Sequence, residues 1–122
     1  ENQPVHVIEA TLDDDTSGLY CEAVQTIIID EHMTDVQKRC SLTHELFHWL
    51  HADDSHAEYG KSHAEWRVRR ETAMFLIDPA DYVQAEREYD GEIYQMSCEM
   101  DVTVFLLEDY RRILEYRQPI HD

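Results

Sequence analysis

The chain is 122 residues long, with 43% hydrophobic and 10% aromatic residues and only three glycines and three prolines. That length leaves no room for two independent cores, so residues 1–122 are expected to form a single domain, and the composition excludes a disordered tail. A formal charge of -17, from 27 acidic and 10 basic side chains, excludes binding to nucleic acid or anionic membrane through a basic patch and suits a basic protein partner or a cation.

Cys21, Cys40 and Cys98 are an odd number without Cys-x-x-Cys spacing. A disulfide framework is therefore not expected, and a reducing cytoplasm fits best. No apolar run reaches the ~18–20 residues needed to span a bilayer, and nothing resembles a signal peptide. The chain begins at Glu1 rather than Met, so the lack of a leader carries little weight.

In chain order, Val5 to Glu9 reads as a short strand. Asp13-Asp14-Asp15-Thr16-Ser17-Gly18 reads as a turn, with Gly18 supplying permissive backbone angles. Leu19 to Cys21 and the β-branched run Thr26 to Ile29 are further strands. Together they predict a small antiparallel sheet of about three strands near the N-terminus. The acidic turn lacks the glycine and distal glutamate of a calcium-binding loop.

From Thr34 the period becomes helical, with Thr34 and Gln37 placed as a capping box. Leu42, Leu46, Trp49 and Leu50 fall at i, i+4, i+7 and i+8, an apolar stripe for a core. A loop follows to Lys61. A second helix runs from Ser62 or His63 to about Ile77 and is stopped by Asp78-Pro79. Asp81 to Tyr89 is a charged surface helix, broken by Asp90-Gly91. Ser97 is placed to cap a last helix carrying Val102, Phe105, Leu106, Tyr110, Ile113 and Leu114 at helical spacing. The fold class is thus α+β.

The chemistry lies in His44-Glu45-Leu46-Phe47-His48. Residues four apart share one helical face, so both imidazoles can reach one metal ion. Zinc–nitrogen bonds of ~2.0–2.1 Å fit that reach. Glu45 projects about 100° round the helix from His44, placed to touch a water beside the metal rather than the metal. A glutamate so placed can take the proton of an attacking water.

A catalytic zinc usually has three protein ligands. The downstream candidates are His51, Asp53, Asp54, His56, Glu58, His63, Glu65 and Glu71. Glu65 is the best placed, because it opens the next helix and an antiparallel return would present it to the metal. Val68, Thr72, Phe75 and Leu76 could bury the adjacent face. Spacing alone also allows a helix-start glutamate paired with Arg69 at i+4. His56, His63, Tyr59 and Tyr20 are candidates for stabilising an oxyanion. Cys40, one turn before His44, reads as a small buried thiol, and Trp49 and Trp66 as core residues.

His44-Glu45-Leu46-Phe47-His48-Trp49-Leu50, then Glu65-x-x-Val68, then Phe75-Leu76-Ile77-Asp78-Pro79, resemble the ImmA/IrrE family of metallopeptidases. That family has a zincin core with His-Glu-x-x-His, then Glu-x-x-Ala-(Asn/Asp), then Leu-(Leu/Ile)-x-Pro. The likeness runs from about Arg39 to Leu114, including a turn at Met96-Ser97. It implies a small N-terminal sheet packed on a mainly helical, minimal zincin core, with the metal in the cleft between them. It further implies a cytoplasmic zinc (Zn2+) endopeptidase with His44, His48 and Glu65 as ligands and Glu45 as general base. Several members cleave a helix-turn-helix repressor of phages, mobile elements or stress responses, so a basic DNA-binding repressor is the implied substrate. Val68 and Arg69 replace the usual small residue and Asn/Asp, which leaves Glu71 as an alternative third ligand. The sensor domains of longer relatives are not expected. The rival reading is a catalytically inactive zincin-like module that sequesters a partner protein. A hydrolase of non-peptide amides is a further rival, disfavoured by the missing export signal.

Overall fold

The computed structural model describes residues 4–53 and 61–117. Its contacts group the chain into two compact units, Glu1–Val68 and Arg69–Asp122.

The first unit opens with three strands, β1 (His6–Ala10), β2 (Gly18–Cys21) and β3 (Thr26–Asp30). They are followed by the helix α1 (Asp35–Leu50) and the start of α2 (Lys61–Leu76). β3 is the central strand, in the order β1-β3-β2. Its β-branched residues alternate across the sheet, so Ile27 and Ile29 point inward with Tyr20 of β2 and form a buried cluster. Leu42, Leu46 and Trp49 of α1 pack on that cluster, as their spacing predicts. Leu50, placed on the same stripe, is instead 56% exposed. It lies in the last turn, past the edge of the sheet-facing stripe.

The sheet is mixed, not antiparallel throughout. β2 pairs antiparallel with β3, with Tyr20 opposite Ile27, but β1 runs parallel to β3, with Val7 opposite Ile27. The cause is the acidic turn. The Thr16 amide donates to the Asp13 carbonyl, closing the turn, and the Leu12 amide donates to the Asp30 carboxylate. The Glu31 amide bonds Ala10 and the Asp30 amide bonds Ser17, so the chain crosses the end of β3 and β2 descends on its other edge. Gly18 also has a role different from the expected one. Its φ is not positive; what it provides is proximity, since a Cβ there would lie 2.6 Å from Ser41 Oγ and 3.2 Å from Glu45 Cγ.

The start of α1 follows the sequence closely. Thr34 accepts from the Gln37 amide while the Gln37 side chain accepts from the Thr34 amide, a complete capping box. The helix ends in a Schellman motif, in which the Asp53 amide donates to His48 and the Ala52 amide to Trp49. Ala52 takes the left-handed conformation there, at φ 56.

In the second unit, the end of α2 is followed by α3 (Pro79–Tyr89), α4 (Ile93–Met100) and α5 (Val104–Arg117). Asp78, expected to stop α2, also caps α3 by accepting from the Ala80 amide. Of the residues assigned to the inner face of α2, Val68 and Thr72 are buried but Phe75 is 71% exposed. The expected single last helix is two. Ser97 is not a cap but a buried residue inside α4, its hydroxyl donating to the Tyr94 carbonyl. Met96 is likewise helical rather than part of a turn. α4 stops at Asp101, whose backbone turns left-handed, and Thr103 caps α5 by accepting from the Leu106 amide. Val102, Leu106, Tyr110 and Ile113 are core residues, as their spacing predicts, whereas Phe105 is exposed beneath the Arg69 guanidinium. Among the described residues, no helix is long and apolar enough to cross a membrane.

Candidate metal centre

α1 carries His44 and His48 one turn apart, with ring centroids separated by 5.0 Å and planes at 62°. Both rings aim their Nε2 atoms at one carboxylate. Glu65 of α2 lies 2.9 Å from His44 Nε2 through one oxygen and 3.1 Å from His48 Nε2 through the other. Ligand atoms from these three residues fall within 4.8 Å of one another, a group able to hold a metal ion. In tetrahedral zinc, donors at ~2.0–2.1 Å from the ion stand roughly 3.3 Å apart. The two histidine–carboxylate separations lie a few tenths of an ångström below that spacing, and two imidazoles with one carboxylate are a donor set that zinc accepts.

Burial differs across the group. His48 is 2% exposed and Glu45, next to His44 in sequence, is 5% exposed, while His44 and Glu65 are half-buried. One side of the site is therefore packed and the other opens outward. Burial alone would push the Glu65 carboxyl up, but hydrogen bonds and charge from His44 and His48 outweigh it and hold it far below the usual carboxylate range. Burial would likewise push His48 down. Its hydrogen bond to Glu65 and the negative charges of Glu45, Glu65 and Asp53 overcome that and raise it above 6.5.

These shifts have opposite consequences for pH. With no metal bound, the raised His48 contributes stability that is complete below pH 6.5 and is lost as pH rises through its folded pKa. The depressed Glu65 contributes stability that is complete above pH 4.5 and is lost as pH falls through its folded pKa. Between pH 4.5 and 6.5 both contributions stand. A metal must displace the His48 proton, so metal affinity should climb as pH rises through the His48 transition. Competition titrations at pH 5.5 and 8 check this, and equal affinities would contradict it.

The other sequence candidates fall elsewhere. Asp54, His56, Glu58 and Tyr59 lie outside the described residues. His51 ends α1, His63 is exposed, and neither they nor Glu71 belong to the converging group. Cys40 is buried and outside it as well. Trp49 and Trp66 are half-buried, and the Trp49 indole donates to Gln25. The Tyr20 hydroxyl is held in the first unit's interior, donating to Glu22 and accepting from Gln25. Asp53, weighed as a ligand, instead stands at the opposite ring nitrogen of His48, 3.8 Å from Nδ1. Arg67, which no spacing argument singled out, is ion-paired with Asp53.

A three-stranded sheet laid on a His-Glu-x-x-His helix, with a carboxylate arriving from the following helix, defines a metallopeptidase-type domain. The family described as Peptidase_M78, IrrE N-terminal-like domain, matches residues 1–103, and the chain belongs to it. No curated protein and no solved structure matches the chain.

Proposed function

We propose that this domain is a zinc-dependent endopeptidase in which His44, His48 and Glu65 hold the ion and Glu45 is the general base. The observation that carries the reading is the convergence of His44 Nε2 and His48 Nε2 on the two oxygens of Glu65. Bound there, zinc supplies a Lewis acid that acidifies water and polarises a carbonyl. Two neutral imidazoles and one carboxylate leave that ion with net positive charge. Glu45, held in the same turn of α1 and packed beneath Gly18, takes the proton of the attacking water and delivers it to the departing amine. β2 is an edge strand whose first residue lies against Glu45, so an extended peptide can pair along it and present its amide to the site.

The substrate we propose is a basic cytoplasmic regulatory protein of the helix-turn-helix repressor type, from a phage or mobile element. A net charge of -17 supports this reading, because it attracts a DNA-binding surface and speeds encounter with it. Incubation with the repressor encoded beside this protein should give a discrete cut that a chelator abolishes and added zinc restores. An intact repressor after prolonged incubation with the zinc-loaded protein would overturn the substrate assignment.

A further inference from the structure

His48 has a second ring nitrogen, and its environment is as specific as that of the first. Nδ1 is buried and has no hydrogen-bond partner among the described residues. A buried polar atom left in that state costs about 1–3 kcal/mol, so such atoms call for an explanation. The Asp53 carboxylate stands 3.8 Å from Nδ1. That separation is a charge contact and not a hydrogen bond, and a shift of about 1 Å would bring the carboxylate within hydrogen-bond reach.

Two features bring Asp53 to this place. The Schellman motif ending α1 folds the chain back so that the Asp53 amide bonds the carbonyl of His48 itself, at 2.8 Å. Ala52 sits in the left-handed region to allow it, where a Cβ costs about 1–2 kcal/mol. From α2, Arg67 forms an ion pair with Asp53 Oδ2.

We infer that Asp53, anchored by Arg67, is a positioning residue that accepts the Nδ1 proton of His48 and thereby directs the Nε2 lone pair toward the metal. The inference rests on the metallopeptidase reading of His44, His48 and Glu65. A neutral imidazole carries its proton on either nitrogen. An acceptor at Nδ1 selects the tautomer that leaves Nε2 free, fixes the ring plane and increases the donor strength of the ring. Arg67 holds the Asp53 carboxylate by its ion pair and opposes its turning into the site as a competing ligand.

The test is zinc affinity, read by competition with a chromophoric chelator, for wild type, Asp53→Ala and Asp53→Asn, beside thermal melts of each metal-free protein. Asp53→Ala should bind zinc about 10–100-fold more weakly than wild type. Asp53→Asn keeps an acceptor oxygen and should recover part of the loss, whereas a purely structural role for the ion pair with Arg67 would lower zinc affinity only in step with the metal-free melting temperature. If Asp53→Ala does not fold, the near-isosteric Asn variant carries the test through a few-fold weaker affinity at unchanged helicity. Wild-type affinity in a folded Asp53→Ala, or in Asp53→Asn where the alanine variant does not fold, overturns the inference and leaves the three ligands standing. A wild type that binds no zinc overturns the ligand assignment, and this inference with it.

Discussion

Replacing Glu45 with Gln should lower peptide cleavage by at least about 10²–10⁴-fold while the protein keeps its zinc and its fold. The substitution preserves volume at a site that is 5% exposed and closely overlaid by Gly18, so packing is retained. Only the ability to take up a proton is removed. Glu45 also helps to raise His48, through its charge, so the neutral amide should make that histidine slightly easier to deprotonate and should not impair metal binding. Metal content and cleavage rate measured on the same preparation separate the two effects. A domain that acts by sequestering its partner would keep its output after this change, so an unaltered biological response would favour that rival. Loss of zinc together with activity would mean that Glu45 belongs to the metal-binding set.

Asp109→Ala should destabilise the second unit by about 1–3 kcal/mol, because it removes a buried carboxylate bonded by two arginines. Asp109 is 3% exposed. Arg69 binds it through two nitrogens, at 3.1 and 2.7 Å, and Arg112 adds a contact of 2.9 Å. Truncation removes the buried carboxylate that the two guanidinium groups share, and because the Arg69 and Arg112 side chains are 25% and 47% exposed, solvent offsets part of the loss. Asp109→Asn should cost less, because it still accepts hydrogen bonds. Urea unfolding of the metal-free proteins measures both. A change below about 0.5 kcal/mol for the alanine variant would show that the pair is no more than a solvated surface contact.

How far the sequence could be read depended on the range of the interaction concerned. The α1 start was legible because a capping box is local: Thr34 and Gln37 are three residues apart and need nothing else. The pairing of His44 with His48 was legible because helical geometry places i and i+4 on one face, and Glu65 followed from supposing an antiparallel return. The direction of β1 was not legible. It depends on Asp13 and Asp30 steering the chain across the end of β3, an arrangement that alternation within a strand does not encode. The break between α4 and α5 escaped because the left-handed turn at Asp101 leaves the apolar spacing around Val102 and Leu106 nearly in phase. The pairing of Asp53 with Arg67 was beyond reach for a related reason. Their meeting depends on how α1 ends at Ala52 and how α2 returns, and neither bears a motif of its own. The requirement for glycine at position 18 concerns a strand approaching a helix, again a tertiary matter.

The central claim is that two imidazoles and one glutamate grip a single ion. Elemental analysis of the purified chain after saturation with zinc and removal of excess metal tests it most directly, performed on wild type, His44→Ala and Glu65→Ala. One zinc per chain in wild type and a large loss of tightly bound zinc in both variants is the expected outcome. Glu65→Ala holding zinc as firmly as wild type would contradict the assignment.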